Sequence, residues 1–421
     1  MYDVIVVGAR CAGSPTAMLL ARKGYRVLLV DRATFPSDTP QGHFIHLPGV
    51  ARLKRWGLLD AVAASSCPPV TSFTFDVGPF ALTGFPPPFD GATTSFAPRR
   101  TVLDAILLEA AGAAGAELRT GFAVEALLTD GDRVTGIRGR ASGGAPVTER
   151  ARLVIGADGL HSLVARAVQA PTYHTVPPLS IAYWSYWSGV PIAGGEVYLR
   201  ERCALFAMPT NDDLAAVALQ APVDEFAAIR ADVEGSFARA LALAPHLAER
   251  VRRGRREMRF LGRAGLAGFF RRPYGAGWAL VGDAGYHKDP YTGQGISDAF
   301  RDAELLADAI DAGLAGRQPL EEALAAYERQ RNEAVLPMYE FTRQLAALEP
   351  PPPAMQQLFA ALRGNQVDTD RFFGVIAGTV PPPEFLAPDN VARIVGAPRI
   401  TGATAAVPPP SPAGRAVALA G

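Results

Sequence analysis

The chain has 421 residues, and its 41 lysines and arginines are matched by 41 aspartates and glutamates, so the formal charge is zero. That balance excludes a strong field toward nucleic acid or anionic membrane, and no run of about 20 apolar residues marks an integral membrane segment. Cys11, Cys67 and Cys203 are too few and too far apart for a disulfide framework or a metal cluster, so no metal site is expected. A strand is predicted almost from Met1, which leaves no room for a signal or transit peptide and makes a cytoplasmic protein the expectation.

Residues 2–7 are apolar and rich in β-branched side chains, the pattern of a fully buried parallel strand. A turn, Gly8-Ala9-Arg10-Cys11-Ala12-Gly13, follows, then a helical pattern through Ala17, Leu20 and Ala21 that Gly24 stops. Residues 26–30 form a second buried strand closed by Asp31, completing a βαβ crossover. A helical pattern covers 50–64. Short strands and turns fill 70–98, broken by Pro86, Pro87 and Pro88, and a helix over 103–114 ends at Gly115. Strands resume at Leu118, with a hairpin signal at Asp130-Gly131-Asp132 and another buried strand over 153–156. Residues 181–221 are strand-like and aromatic and predict a separate sheet, whereas 223–256 are mainly helical. A short strand over 278–281 precedes helices over about 296–312 and 320–348.

The expected architecture is therefore α/β. A Rossmann-type nucleotide-binding domain (1–75, 97–172 and 262–345) is interleaved with a substrate domain on a mainly antiparallel sheet (76–96 and 173–261). A small C-terminal helical region (346–398) follows, and then an Ala/Pro/Gly-rich tail (399–421) expected to be disordered.

The first turn carries the clearest chemistry. A doubly charged pyrophosphate is best held by backbone N–H groups at a helix N-terminus with no bulky side chain in the way. Gly8 permits the tight turn and Gly13 the close packing of helix on strand; Ala9, Arg10, Cys11 and Ala12 complete the loop. Asp31, with Arg32 beside it, lies where an acid can accept from an adenosine ribose. Arg10 stands where the second glycine of such a fingerprint usually is, so its side chain must avoid or contact the phosphates. Two further turns each follow a buried strand: Gly156-Ala157-Asp158-Gly159, and Gly282-Asp283-Ala284 with Pro290, Gly293, Gln294 and Gly295 downstream.

This ordered set over roughly residues 1–345 resembles the FAD-dependent monooxygenases of the para-hydroxybenzoate hydroxylase type. It is similar also to geranylgeranyl reductases and flavin-dependent halogenases, which share the fold. The resemblance implies FAD as cofactor and NADH or NADPH as transient reductant. It implies a flavin hydroperoxide that transfers one oxygen atom of dioxygen to an apolar or aromatic small molecule, hydroxylating or epoxidising it. A C=C reductase of the geranylgeranyl reductase type is the alternative, and a halogenase ranks below it. The resemblance also implies that Asp283 meets the ribityl chain and that Asp158 serves both nucleotides. It sets Arg100 (or its neighbour Arg99) at a helix start reaching the flavin, and the backbone of Pro290, Gly293, Gln294 and Gly295 at the pyrimidine ring.

Each of these positions has a plainer alternative: a helix cap for Asp283, an Asx turn for Asp158, a surface arginine for Arg100. His43, His46 and Lys288 are the catalytic candidates, with structural or surface roles as alternatives. Trp184 and Tyr186 share one strand face by alternation, and with Leu205, Ala207 and Pro209 on a neighbouring strand they are the substrate-pocket candidates, with core packing as the alternative. The run Arg250, Arg252, Arg253, Arg255 and Arg256 is either a solvated face or a docking surface for nicotinamide-cofactor phosphates.

Overall fold

The opening strand Tyr2–Val7 alternates its side chains between two cores: Val4 and Val6 join a large cluster with the helix Gly13–Arg22, while Ile5 and Val7 join a second on the opposite face. The strand Val27–Val30 does the same, with Val27 and Leu29 on one side and Leu28 and Val30 on the other. Being covered on both faces is why these strands are apolar throughout rather than alternating. Each buried Val, Leu or Ile contributes about 1.5–3 kcal/mol relative to exposure.

The computed structural model describes residues 1–396, so the tail at 399–421 lies outside the described residues. The first sheet runs Tyr274–Gly275, Trp278–Leu280, Val147–Gly156, Tyr2–Val7, Val27–Val30 and Glu117–Arg119. Its central pairs are parallel and in register at their C-terminal ends, where Val7 faces both Val30 and Gly156, and Gly156 faces Leu280. The three turns singled out in the sequence thus leave the sheet side by side. The hairpin signal falls between the strands Phe122–Asp130 and Arg133–Ala141. The single helical pattern over 50–64 is two helices, Leu47–Trp56 and Leu59–Ala64, because Gly57 takes a left-handed φ of 77° and stops the first.

The second sheet orders Arg255–Arg256, Ser180–Ser188, Leu214–Pro222, Cys203–Pro209, Gly195–Arg200, Phe73–Asp76 and Ala81–Gly84. One face, carrying Trp187, Leu205, Val217 and Leu219, is sealed by Phe237, Leu241, Leu247 and Val251 from the helices Val233–Ala242 and Pro245–Arg253. The C-terminal helices between Pro353 and Gly396 pack through Leu358, Phe359, Phe372 and Phe385 on Phe75 and Leu82 of the other face, and on Met338 and Phe341 of the long helix Leu320–Ala346. This leaves the rest of that face turned toward the crevice of the first sheet.

Candidate functional site

The crevice is built by backbone approaching backbone. Gly8 has a φ of 105°, and a Cβ there would collide with the carbonyl of Ala157; one at Gly13 would collide with the carbonyl of Gly8. Gly282, at φ 61°, has the Ala12 methyl 2.7 Å from where its own would be. Asp31 fixes the turn from the next strand, its two oxygens accepting from the backbone N–H of Ala9 at 2.8 Å and of Ala33 at 2.7 Å. The helix Gly13–Arg22 has neither a side-chain cap nor an acid in its first turn, so its positive end is left for an external anion.

Arg10 is kept off that end. Its guanidinium bonds Asp104 at 2.5 Å and Ser37 at 3.0 Å and lies 5.2 Å from the Phe35 ring centre. Asp104 is fully buried and also takes Arg100 at 2.9 and 3.1 Å and the Cys11 thiol at 3.4 Å. Burial holds the Cys11 thiol well above its ordinary pKa, so it remains protonated. Asp104 was not singled out in the sequence, although its position four residues after Arg100 on a helix was a signal for it. Of the two adjacent arginines, Arg100 borders the crevice, while Arg99 covers the Tyr186 ring at 4.3 Å.

A cavity of about 1820 Å³ runs from these turns to the open face of the second sheet. Gly8, Arg10, Cys11 and Ala12 border it in the first turn; Asp31 and Arg32 in the second; Asp158, Gly282 and Asp283 in the later ones. Pro290, Gly293 and Gly295 border it beyond, at the N-terminus of the helix Gly295–Leu314. Ala9, Gly13 and Gln294 lie just behind the wall; Gln294 donates to the Ile376 carbonyl at 2.6 Å and so ties this loop to the C-terminal helices.

Residues 1–342 match the family model described as FAD binding domain. The chain belongs to this FAD-dependent oxidoreductase family. It is 28% identical to a rifampicin monooxygenase of Streptomyces venezuelae over 401 residues, covering 86% of this chain and 75% of that protein. It is 26% identical to a tryptophan 2-halogenase of Chondromyces crocatus over 341 residues, 77% of this chain but only 64% of the relative's length. The solved structure of the flavin-dependent brominase Bmp2 shares the fold, with a TM-score of 0.78 at 20% identity, covering 94% of this chain and 97% of that one.

The crevice of this flavoprotein fits FAD: two glycines that let the turn close against neighbouring backbone, an uncapped helix N-terminus for the diphosphate, and a carboxylate at the end of the second strand for the ribose. Asp283, half-buried at the start of a tight turn, makes no side-chain cap bond to that turn. Asp158 does cap: one oxygen accepts from the backbone of Leu163 at 2.6 Å and Val164 at 3.3 Å, ahead of the helix Leu163–Ala167. Its other oxygen is buried without a partner, and burial raises its pKa. The sequence alternative of a structural turn thus describes half of this carboxylate.

His43 and His46 both border the cavity and are buried. His43 Nδ1 bonds the Ala97 carbonyl at 2.9 Å with Tyr186 stacked on its ring, and His46 Nε2 bonds the Thr292 carbonyl at 2.9 Å. Burial lowers each to a pKa of about 4, so both are neutral imidazoles at pH 7 and neither is a standing acid. The unfolded chain binds these protons from about pH 6.5 downward, the folded chain only near 4. Stability is therefore lost as pH falls through that window, by roughly 3 kcal/mol per histidine when complete. Urea midpoints at pH 7.0, 5.5 and 4.5 should fall monotonically, and His43→Gln should flatten the slope.

Lys288 is buried and paired with Asp298, which Arg301 also binds at 2.8 Å, so it is not a surface lysine. Asp289 next to it accepts from Ser180 and from Gln220, each at 2.7 Å, against a burial that raises its pKa.

The substrate-pocket expectations need correction. Trp184 borders the cavity, but Tyr186, on the same strand face, is covered by His43 and Arg99. Leu205 and Ala207 pack in the helix-sealed core of the opposite face; Ala207 touches the cavity's edge, and Leu205 and Pro209 do not border it. The strand Cys203–Pro209 is in the same sheet but one strand further away than expected, with Leu214–Pro222 between, and it was read one residue out of phase, which exchanges faces. Phe206 and Met208 are the cavity residues, with Ala216, Ala218 and Gln220 beside them. The arginine run is a solvated face. Arg250 pairs with Glu196, Arg252 and Arg253 share Glu249, Arg255 pairs with Glu257 and Arg256 with Glu234, so four carboxylates offset most of the charge of the five arginines.

Proposed function

We propose that this protein is a single-component monooxygenase that uses NADH or NADPH, FAD and dioxygen to hydroxylate or epoxidise an apolar or aromatic small molecule. The observation that carries the reading is continuity: the dinucleotide crevice and the aromatic face of the second sheet are walls of one cavity. A drug-sized ligand occupies about 300–1,000 Å³, so about 1820 Å³ leaves room for an organic molecule beside a dinucleotide.

When bound, FAD supplies hydride acceptance and oxygen activation. In this reading the backbone amides of Arg10 to Gly13 would hold the diphosphate, in a turn that Asp31 fixes through the Ala9 N–H, with Asp31 also at the ribose, Asp283 at the ribityl hydroxyls and Arg100 beside them. The N–H groups of Gln294 and Gly295, at the start of the helix Gly295–Leu314, would face negative charge on the ring system, while that of Gly293 is held by the Pro290 carbonyl at 2.9 Å. Lys288, neutralised by Asp298, keeps its position without adding a net charge. Neutral His43 and His46 close the wall as uncharged rings at pH 7, each giving its one N–H to a backbone carbonyl. The aromatic walls keep water from the reacting centre, which favours transfer to the organic molecule over release of peroxide.

The test is turnover under 18O2. Purified holoprotein with NADPH or NADH and a panel of aromatic compounds should yield a product gaining one labelled oxygen, with peroxide a minor product. A product gaining two hydrogens under strict anaerobiosis would move the assignment to a C=C reductase. A brominated product on adding bromide would move it to a halogenase, the activity named for the Chondromyces relative.

A further inference from the structure

Pairing register in the second sheet places Trp184 opposite Ala218, and Ala218 opposite Phe206. The three residues therefore form one row across three adjacent strands, on the cavity face. Each is only partly buried, whereas Ser185, Leu219 and Leu205, their successors or predecessors on the sealed face, are 0%, 3% and 0% exposed. Adjacent strands lie about 4.8 Å apart, so the two aromatic side chains rise from backbones roughly 10 Å apart with only a methyl group between them. Aromatic neighbours sit with ring centres about 4.5–7 Å apart, so one ring between two walls needs about 9–14 Å. The slot admits one flat ring system. Phe206 is braced edge-on by Tyr291 at 5.5 Å, which fixes that wall.

The floor continues as small residues: Ala216 lies two positions one way along the central strand, and Ala182 lies beside Gln220 two positions the other way, while Ala204 on the far side of Gln220 is covered by Ala346 and Leu348. Gln220 gives its amide hydrogens to Ser180 at 2.6 Å and Asp289 at 2.7 Å, which turns its carbonyl oxygen into the acceptor of this floor. It sits about 7 Å along the strand from Ala218. Asp289 in turn opens the turn Pro290–Thr292 that leads to Gly293, so the acceptor stands at the cofactor end of the slot.

We propose that the substrate is a planar aromatic ring system held between Trp184 and Phe206 over Ala218, with a hydroxyl or N–H at the edge that meets Gln220. This rests on the monooxygenase reading and names the substrate class for that same site.

The test is calorimetric titration of the FAD-loaded protein, without reductant, using 2-naphthol, 2-methylnaphthalene and decahydro-2-naphthol as probes. The expected result is at least tenfold tighter binding of 2-naphthol than of the saturated alcohol, and weaker binding of the methyl compound. Ala218→Leu fills the slot from its floor and Trp184→Leu removes a wall; each should weaken 2-naphthol at least tenfold, while Trp184→Phe should largely retain it. Flavin content, read from visible absorbance, reports whether each variant is folded, and the two leucine variants lie on different strands and test the slot independently. Absence of 2-naphthol binding, equal binding of the saturated alcohol, or binding to both leucine variants within threefold of wild type would overturn the slot. Because binding is read without turnover, an aromatic preference without oxygen incorporation would overturn the monooxygenase reading and leave the slot standing.

Discussion

Asp31→Ala should purify nearly colourless and take up added FAD on the order of 10²–10⁴ times more weakly than the wild type. The carboxylate has two tasks at one place. It holds the amides of Ala9 and Ala33, and so the shape of the phosphate turn, and it presents lone pairs toward the crevice at the end of the second strand. Hydrogen bonds to a charged group contribute about 1.5–3 kcal/mol each, and the loss of two gives that range at about 1.4 kcal/mol per decade. Quenching of flavin fluorescence on titration into apoprotein measures it, and the urea midpoint of the apoprotein separates lost affinity from lost fold. Asp31→Asn, which keeps one acceptor, should fall between. An affinity for FAD within threefold of wild type in Asp31→Ala would move the ribose site away from this strand.

The first sheet was legible because its strands are buried on both faces. Unbroken apolar runs such as residues 4–7 and 27–30 have few other solutions in a chain of this length, and the glycines that follow mark where strand gives way to turn. What the sequence did not disclose was phase. In the strand Cys203–Pro209 every residue is apolar or small, so alternation gives no contrast between faces, and Leu205 was read as facing the pocket when Phe206 does. The strand Ser180–Ser188 is no clearer, because its serines fall on both faces and Ser185 is buried on the sealed one; of the two aromatics read as pocket-facing, Trp184 borders the cavity and Tyr186 does not. Partners distant in sequence were equally hidden. Nothing local to Gln220 points to Asp289, 69 residues away, and nothing local to Arg10 points to Asp104, 94 residues away. Helix breaks fall between these cases: Gly57 ends one helix by adopting a left-handed backbone, and the apolar spacing on either side reads straight through it.

The role of Asp104 follows from charge counting. One carboxylate with no solvent exposure serves two guanidinium groups, and one of these, Arg100, is itself only 6% exposed. Desolvation works against a buried cation, and the attraction of Asp104 is what keeps Arg100 firmly protonated in place. Asp104→Asn keeps the volume and removes the charge, leaving Arg100 without a counterion and releasing Arg10 from its position beside the phosphate turn. Breaking a buried ion pair from one side costs about 3–5 kcal/mol, most of it the penalty of the stranded charge. The double variant Asp104→Asn with Arg100→Met removes that charge too and should recover a large part of the loss, a non-additivity that a simple cavity or packing defect would not produce. Urea unfolding of the apoproteins isolates the effect from the stabilisation that bound FAD adds by mass action. If Asp104→Asn costs under about 1 kcal/mol, or the double variant is merely the sum of the singles, the two arginines are solvated well enough to need no partner. The phosphate turn would then owe its shape to Asp31 and the glycines alone.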